Sequence, residues 1–401
     1  MTVEWDGGVL VSTEEERVCF DPQRRGEEFD RIFISHSHGD HTAAFSNKAR
    51  KYSTLDTRRI FEARSGIKVE NFNTAKYNRA VRVGSLEVIP RNAGHMLGST
   101  QFEIHTPEET IVYTGDINCV NTLTTKAAKP IDCDILIMET TYGEPAFLFP
   151  RREEVYVDIT KWIVNEIKNR KIPTFEVYTV GKAQEIVALI NHFTELPVVV
   201  SPTISRVNKV HIESGVELQY IGVESCEGKD VLNGGNCCYV VPTRSRQDLP
   251  KNAARATATG WSIRFRPRNH MGFPLSSHAD FNQLISYVKE AKPSIVYTCF
   301  GRSEILSHYV EKKTGIKSLP LKNKTDLYSS KRKRKNSDIR TNVERMLDFV
   351  VMPGFVYKKK WMINKLTSFG VSPQVAQRVL DHMEKKGIIS YDEELTGYRL
   401  T

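Results

Sequence analysis

No two cysteines form a CxxC pair, no apolar run is long enough to cross a bilayer, and no segment is repeated. The seven cysteines (Cys19, Cys119, Cys133, Cys226, Cys237, Cys238 and Cys299) are odd in number. Their spacing excludes a thiolate zinc ribbon and a thioredoxin-type redox motif, and it leaves reduced, buried thiols as the expectation. A spanning helix needs roughly 20 apolar residues, so no membrane is expected among the partners. The opening Met1-Thr2-Val3-Glu4-Trp5-Asp6 has no basic region followed by an apolar stretch, and a secretory leader is not expected. These absences predict an intracellular protein, cytoplasmic or, in a eukaryote, nuclear.

What is present is ordinary in bulk. The 401 residues allow two or three domains, and 40% hydrophobic residues is normal for a globular chain. The net charge of +9 is unevenly spread. Residues 322–340 hold eight Lys or Arg against Asp326 and Asp338, a surplus of +6 that leaves only +3 for the rest. One short segment therefore carries most of the suggestion of a polyanionic partner.

The texture along the chain predicts an α/β protein. Up to residue 145, short β-type runs such as Val9-Leu10-Val11, Val18-Cys19-Phe20, Ile32-Phe33-Ile34, Thr110-Ile111-Val112-Tyr113 and Ile135-Leu136-Ile137-Met138 are bounded by Gly, Asp, Asn or Pro. From about Arg151, helical spacing (Val157, Trp162, Ile163, Ile167) alternates with strands at 173–178 and 196–200, a βαβ pattern that predicts a small parallel sheet. A helix at 281–290 and a strand at 294–298 follow. The basic stretch 322–340 reads as a linker. In 341–401, a helix over 358–369, the turn Gly370-Val371, a second helix opened by Ser372-Pro373 and a hairpin from 388–391 and 398–400 make a winged-helix-like pattern.

The chemistry concentrates at strand ends. His36, His38, Asp40 and His41 fall within six positions directly after Ile32-Phe33-Ile34, on the turn leaving a predicted strand. A compact turn can aim such groups at one point. Imidazole nitrogen and carboxylate oxygen suit zinc, manganese or iron, and the missing thiolate argues against a closed structural zinc site. Four further segments add candidates: His95 in Asn92-Ala93-Gly94-His95, Asp116 after Tyr113-Thr114-Gly115, Glu139 after Ile137-Met138, and His278 in Ser276-Ser277-His278-Ala279-Asp280 ahead of a helix.

The motifs HSHGDH, AGH, TGD, METTYG and SSHAD, in this order, resemble the signatures of metallo-β-lactamase-fold nucleases with the β-CASP insertion. The wording around them (ETTYGEPAF, GKAQEI, ATGW, GFPLSSHADF) is similar to the ligase-associated DNA exonuclease group, whose relatives include Artemis-type nucleases, RNase J and the cleavage and polyadenylation nuclease. The resemblance implies an αββα metallo-β-lactamase domain at 1–145 and 271–321, an α/β β-CASP insertion at 146–270, the basic linker, and the winged-helix-like module at 341–401. It implies one metal on His36, His38 and His95, a second on Asp40 and His41, and Asp116 between them. The ions would be Zn2+, one or two, with Mn2+ as an alternative. Asp40, Glu139 and His278 would be catalytic, with His278 protonating the leaving oxygen and Glu139 orienting it. The activity implied is phosphodiester hydrolysis in nucleic acid: a DNA exonuclease or end-processing nuclease in DNA repair first, then an RNA-processing ribonuclease or an inactive binding subunit. DNA is favoured over RNA, and a DNA ligase or other repair proteins are implied partners.

One departure is visible. RNA-cleaving relatives carry another metal-binding histidine after the strand that here reads Val296-Tyr297-Thr298-Cys299-Phe300-Gly301. Either Phe300 or Cys299 occupies that place, and a Cys299 thiolate ligand is one expectation, a plain buried thiol the other. For nucleic acid, Lys182 after Gly181 at a helix start could meet a phosphate. Arg264, Arg266 and Arg268 alternate as along one face of a strand, and Lys331, Arg332, Lys333, Arg334 and Lys335 form a run suited to phosphate binding. Each of these has an equally simple reading as a solvated surface.

Overall fold

Alternating side chains on two covered sheets build the first body. The computed structural model describes residues 2–321 except 14–15, 24–28, 30, 244–248 and 266–269. Beyond 321 it describes positions 359 and 363 and the segments 373–385, 389–392 and 397–400. The first sheet runs in chain order through β1 (Thr2–Trp5), β2 (Val9–Ser12), β3 (Arg17–Phe20), β4 (Arg31–Phe33), β5 (Arg50–Ser53) and β6 (Phe72–Thr74). The second contains β7 (Val81–Val83), β8 (Leu86–Asn92), β9 (Thr100–His105), β10 (Thr110–Tyr113) and β11 (Ile135–Glu139), then the late strands β18 (Ile295–Cys299) and β19 (Lys317–Pro320).

Odd and even positions of these strands face different cores. Val9, Val11, Phe20 and Phe33 of the first sheet meet Val88, Phe102, Ile104, Tyr113 and Ile137 of the second in one cluster between the sheets. The alternate residues Leu10, Cys19 and Ile32 pack outward with Phe61 of α1 (Leu55–Ser65). On the far side, Val112, Leu136, Met138 and Val296 pack against α6 (Phe281–Ala291) and α7 (Ser303–Thr314). Burial on both faces explains why β11 is apolar at each of its first four positions. The result is an αββα sandwich.

A second body is inserted between β11 and β18, which pair with each other in the second sheet. Its sheet, ordered β14-β13-β15-β12-β16-β17, is parallel throughout. The strands are β12 (Ile172–Val177), β13 (Val198–Val200), β14 (Ile221–Gly222), β15 (Cys238–Pro242), β16 (Ala253–Ala258) and β17 (Met271–Phe273). Helices α2 (Arg152–Lys168), α3 (Lys182–Phe193) and α4 (Pro202–Glu213) bury one face, and residues of α5 (Cys226–Gly234) pack near the other. The boundary at residue 271 needs correction: Met271-Gly272-Phe273 pairs with β16 and belongs to the inserted sheet. In the C-terminal part, α8 (Pro373–Lys385) precedes the antiparallel pair β20 (Ile389–Asp392) and β21 (Gly397–Leu400). The predicted helix 358–369, apart from two positions, and the whole basic linker lie outside the described residues.

A buried ion cluster ties the insert to the sandwich. Glu185 of α3 accepts from Lys182 Nζ and Tyr156 Oη, each at 2.7 Å, and is paired with the Arg152 guanidinium. Arg152 also donates to the carbonyl of Ser276, two residues before His278. Lys182 is therefore not a phosphate contact: its side chain is 4% exposed and its ammonium is engaged by Glu185. Burial opposes the charge on Glu185, but Arg152 and then Lys182 prevail and bring its carboxyl down to about 2. The folded value lies below the ordinary 4.5, so this stabilisation is complete above that pH and is lost as pH falls toward 2. Glu185→Gln leaves two buried cations short of a partner and should cost about 3–5 kcal/mol in denaturant unfolding. A loss below about 1 kcal/mol would show that the cations find other partners.

Candidate metal centre

Four ligand atoms converge on one point from three separate loops. His36 and His38 follow β4, His95 follows β8 and Asp116 follows β10. Asp116 Oδ2 lies 3.4 Å from His36 Nε2 and 3.7 Å from His95 Nε2, and His95 Nε2 lies 3.1 Å from His38 Nδ1. All four atoms fall within 4.8 Å of one another. Tetrahedral ligands bound at ~2.0–2.2 Å stand ~3.3–3.6 Å apart, so the spacing suits a divalent ion. The loop before His95 requires glycine: Gly94 has φ +71°, and a Cβ there would sit 2.4 Å from the Asn118 carbonyl oxygen.

The outer nitrogen of each ring is held by a fixed partner. His36 Nδ1 meets Ser35 Oγ at 2.9 Å, and Ser35 Oγ donates onward to Asp21. His38 Nε2 donates to the Val180 carbonyl of the insert (3.4 Å), and His95 Nδ1 donates to the Ser277 carbonyl (2.8 Å). These bonds leave His36 Nε2, His38 Nδ1 and His95 Nε2 as inward lone pairs. His36 Nε2 is buried with no hydrogen-bond partner among the described residues. An uncharged nitrogen left bare in this way fits metal ligation, and outer-ring bonds of this kind fix ligand tautomers. Burial, reinforced by neighbouring imidazoles, holds His36 and His95 well below the usual histidine range and brings His38 down to about 3. All three are neutral at pH 7, as ligation requires.

A second ligand set shares the same carboxylate oxygen. His41 Nε2 is 3.7 Å from Asp116 Oδ2 and 3.7 Å from Asp40 Oδ2. His41 Nδ1 donates to Asp21 Oδ2 at 2.8 Å. Asp21 also accepts from the Ser35 amide (2.7 Å) and the Tyr113 hydroxyl (2.8 Å), so one buried carboxylate aligns histidines of both sets. Sequence reasoning missed Asp21. It carries the same signal as Asp116 and Glu139, a carboxylate directly after an apolar run. The neighbour expected to complete this set does not supply a ligand: Cys299 packs in the inter-sheet core with Sγ 3.5 Å from the Met138 carbonyl oxygen. Burial and nearby carboxylates push its thiol well above the usual range. Phe300 instead sets its ring 5.2 Å from the His41 ring. Its φ of +60° is adopted ahead of Gly301.

Against the His95 ring, at a centroid distance of 4.4 Å, stands His278, its Nε2 4.0 Å from Asp116 Oδ2. Its Nδ1 donates to Glu139 Oε1 at 2.9 Å. Glu139 is fully buried and also accepts from the amides of Ile117 (3.0 Å) and Thr141 (3.1 Å). Burial opposes ionisation of Glu139, but His278 and these amides hold its carboxyl below the usual range. Burial likewise works against a charged His278, but Glu139 and Asp116 raise it to about 9. A protonated imidazole thus points Nε2 into the site, with its orientation set by an ionised carboxylate. The capping box of α6, Asp280 with Gln283, fixes the loop that carries it.

No family model matches the chain. Over 288 residues, 68% of this chain, it is 26% identical to a probable DNA ligase of Opitutus terrae, covering 27% of that protein. It is 29% identical over 215 residues to an RNase J-like protein of Methanocaldococcus jannaschii, 46% of this chain and 51% of the relative. The chain thus spans about half or less of the length of these curated relatives. A solved structure of a protein of unknown function from Enterococcus faecalis matches in fold with a TM-score of 0.57 at 14% identity, over 79% of this chain and 97% of that one. The relatives this chain matches are named as a probable DNA ligase, ribonucleases and a cleavage and polyadenylation specificity factor.

Beside this centre, the expected nucleic-acid residues are placed differently from their sequence pattern. Arg264 is not on a strand. Gly260–Ile263 forms a 3-10 turn capped by Thr259, and Arg264 follows it, 3.4 Å from Glu144 and over the Phe147 ring. The alternation with Arg266 and Arg268 therefore does not start at Arg264, and those two residues lie outside the described part, as do Lys331, Arg332, Lys333, Arg334 and Lys335. The Gly260 of this turn is obligatory, since a Cβ would sit 2.6 Å from the Tyr142 ring.

The protonation states make metal uptake pH-dependent. Burial, with Glu139 adding to it, raises Asp116 to about 7, while burial of His41 is outweighed by Asp116 and Asp21, giving about 10. Protons on this pair compete with a cation. Affinity should therefore rise with pH through neutrality, by up to about tenfold per unit for each displaced proton. Calorimetric titration of zinc in buffers of different ionisation enthalpy reads the released protons directly. Binding without proton release would rule out Asp116 and His41 as ligands.

Proposed function

We propose that the chain is a metal-dependent phosphodiesterase that hydrolyses nucleic acid. The observation that carries this reading is one carboxylate oxygen, Asp116 Oδ2, within 3.7 Å of His36, His95 and His41 and 4.0 Å from His278, whose other ring nitrogen is held by Glu139. His36, His38, His95 and Asp116 would hold one ion; Asp40, His41 and Asp116 would hold a second. We assign zinc, with manganese as the alternative. A divalent ion held there supplies charge to the phosphoryl oxygens and acidifies water toward neutrality.

The chain's own groups supply the rest. With 18% of its side chain exposed, His278 can deliver the Nε2 proton to the departing sugar oxygen, an alkoxide too basic to leave unaided. Glu139 keeps the imidazole aligned and favours its cationic form before transfer. Asp40, 69% exposed at the side chain, sits at the open edge where substrate enters. We assign the inserted parallel body as the β-CASP insertion and α8 with its hairpin as part of a winged-helix-like module. The full first set, His36, His38, His95 and Asp116, together with His278, speaks against an inactive binding subunit.

DNA is the favoured substrate, with end processing as the mode of action. Support comes from the missing fourth-ligand histidine at Phe300 and from the Opitutus relative, which is named a probable DNA ligase. A partnership with a ligase rests on that name. The relative named RNase J-like favours RNA processing as the second reading. End-labelled single- and double-stranded DNA and RNA, each with zinc or manganese, separate these readings through ladder and label position. Binding without cleavage on every substrate would favour the non-catalytic alternative.

A further inference from the structure

We propose that Tyr178 is a stacking platform for an unpaired nucleobase next to the scissile phosphate. This rests on the nuclease reading above. Only two aromatic side chains are largely exposed among the described residues, Tyr178 at 48% and Phe193 at 45%. Phe193 lies at the far end of α3 and packs beside Tyr156 and His192. Tyr178 stands at the metal centre: its ring centroid is 6.1 Å from that of His38.

The loop beneath the ring is rigidly built. Val180 is buried among Ile60, Met96, Val207 and Val210, a cluster shared by the sandwich and the insert. The Val180 carbonyl accepts from His38. Gln184 accepts from the Gly181 amide (2.7 Å) and donates to the Thr179 carbonyl (3.2 Å), while the Tyr178 carbonyl accepts from Ala183 (3.0 Å). At its tip, the Tyr178 phenol interacts electrostatically with that of Tyr142, whose ring lies against His278.

An aromatic face kept in solvent, fixed by so many contacts and placed beside a metal ligand, is preorganised for a flat apolar partner. A nucleic acid bound with its phosphate at the ligands offers one such partner, the base of an adjoining nucleotide. Stacking is sequence-tolerant because every base has a π-face. A base held this way is unstacked from its neighbour, so the strand enters the site frayed or single-stranded.

The test compares wild type, Tyr178→Ala and Tyr178→Phe on end-labelled single-stranded oligonucleotides. The substrates carry either a base or an abasic residue beside the cleaved bond, and bis(p-nitrophenyl) phosphate serves as a baseless substrate. Tyr178→Ala should lower kcat/KM on the intact strand by about 5- to 150-fold, and Tyr178→Phe by less than about 2-fold. The abasic residue should cost wild type a similar factor and add nothing to Tyr178→Ala. On bis(p-nitrophenyl) phosphate, the Tyr178→Ala loss should be at least about 5-fold smaller than on the intact strand. Equal losses on intact, abasic and baseless substrates would overturn the platform while leaving the nuclease reading intact. Absence of cleavage by wild type would overturn both.

Discussion

Replacing Asp116 by alanine is expected to lower cleavage by about 10³-fold or more and to reduce bound metal at both sets of ligands together. The size follows from geometry. Oδ2 is the one atom within 3.4–3.7 Å of His36, His95 and His41, so its loss opens both sets of ligands. It also removes the negative charge that stabilises protonated His278. Asp116→Asn keeps an oxygen but not the charge, and should restore part of the metal content without restoring the rate. Metal per chain by elemental analysis, measured beside cleavage, separates these effects. An alanine variant that keeps its full metal content and cleaves within about tenfold of wild type would show that the centre is assembled elsewhere.

The groups that gather at the candidate site were legible because the chemistry is local. An apolar strand that ends in His, Asp or Glu places that group at the rim of a sheet, and this pattern alone marks His36, Asp116 and Glu139. The strand-rich character of the first 145 residues was legible for the same reason, in runs such as Ile135-Leu136-Ile137-Met138, while the αββα layering was implied only by the resemblance. What the sequence hid depends on partners far away in the chain. Lys182 looked like a surface cation because its environment includes Arg152, thirty residues earlier and on another helix. Asp21 became a hub only when the fold brought Ser35, His41 and Tyr113 to it. Arg264 left its expected strand where Thr259 caps a turn that periodicity cannot see. The three residues of β17 are too few to show any period, so the boundary of the insert was misplaced.

Substituting His278 by alanine should slow cleavage of an oligonucleotide by about 10²–10⁴-fold, the usual worth of a positioned proton donor. The same variant should lose far less on a thymidine p-nitrophenyl phosphate ester, because a nitrophenolate departs without a proton. This contrast distinguishes acid catalysis from a fold or metal defect, which would slow both substrates alike. Glu139→Gln gives a second handle. Burial lowers the His278 value, and Glu139, 2.9 Å from Nδ1, leads the three carboxylates that raise it to about 9. Without that charge the imidazole loses its proton at lower pH. The descending limb of the pH–rate profile should therefore move toward acid on oligonucleotide, while the nitrophenyl ester keeps its profile. If both substrates shift together, Glu139 acts through the metal ligands instead, and the proton donor must be sought in another group facing Asp116.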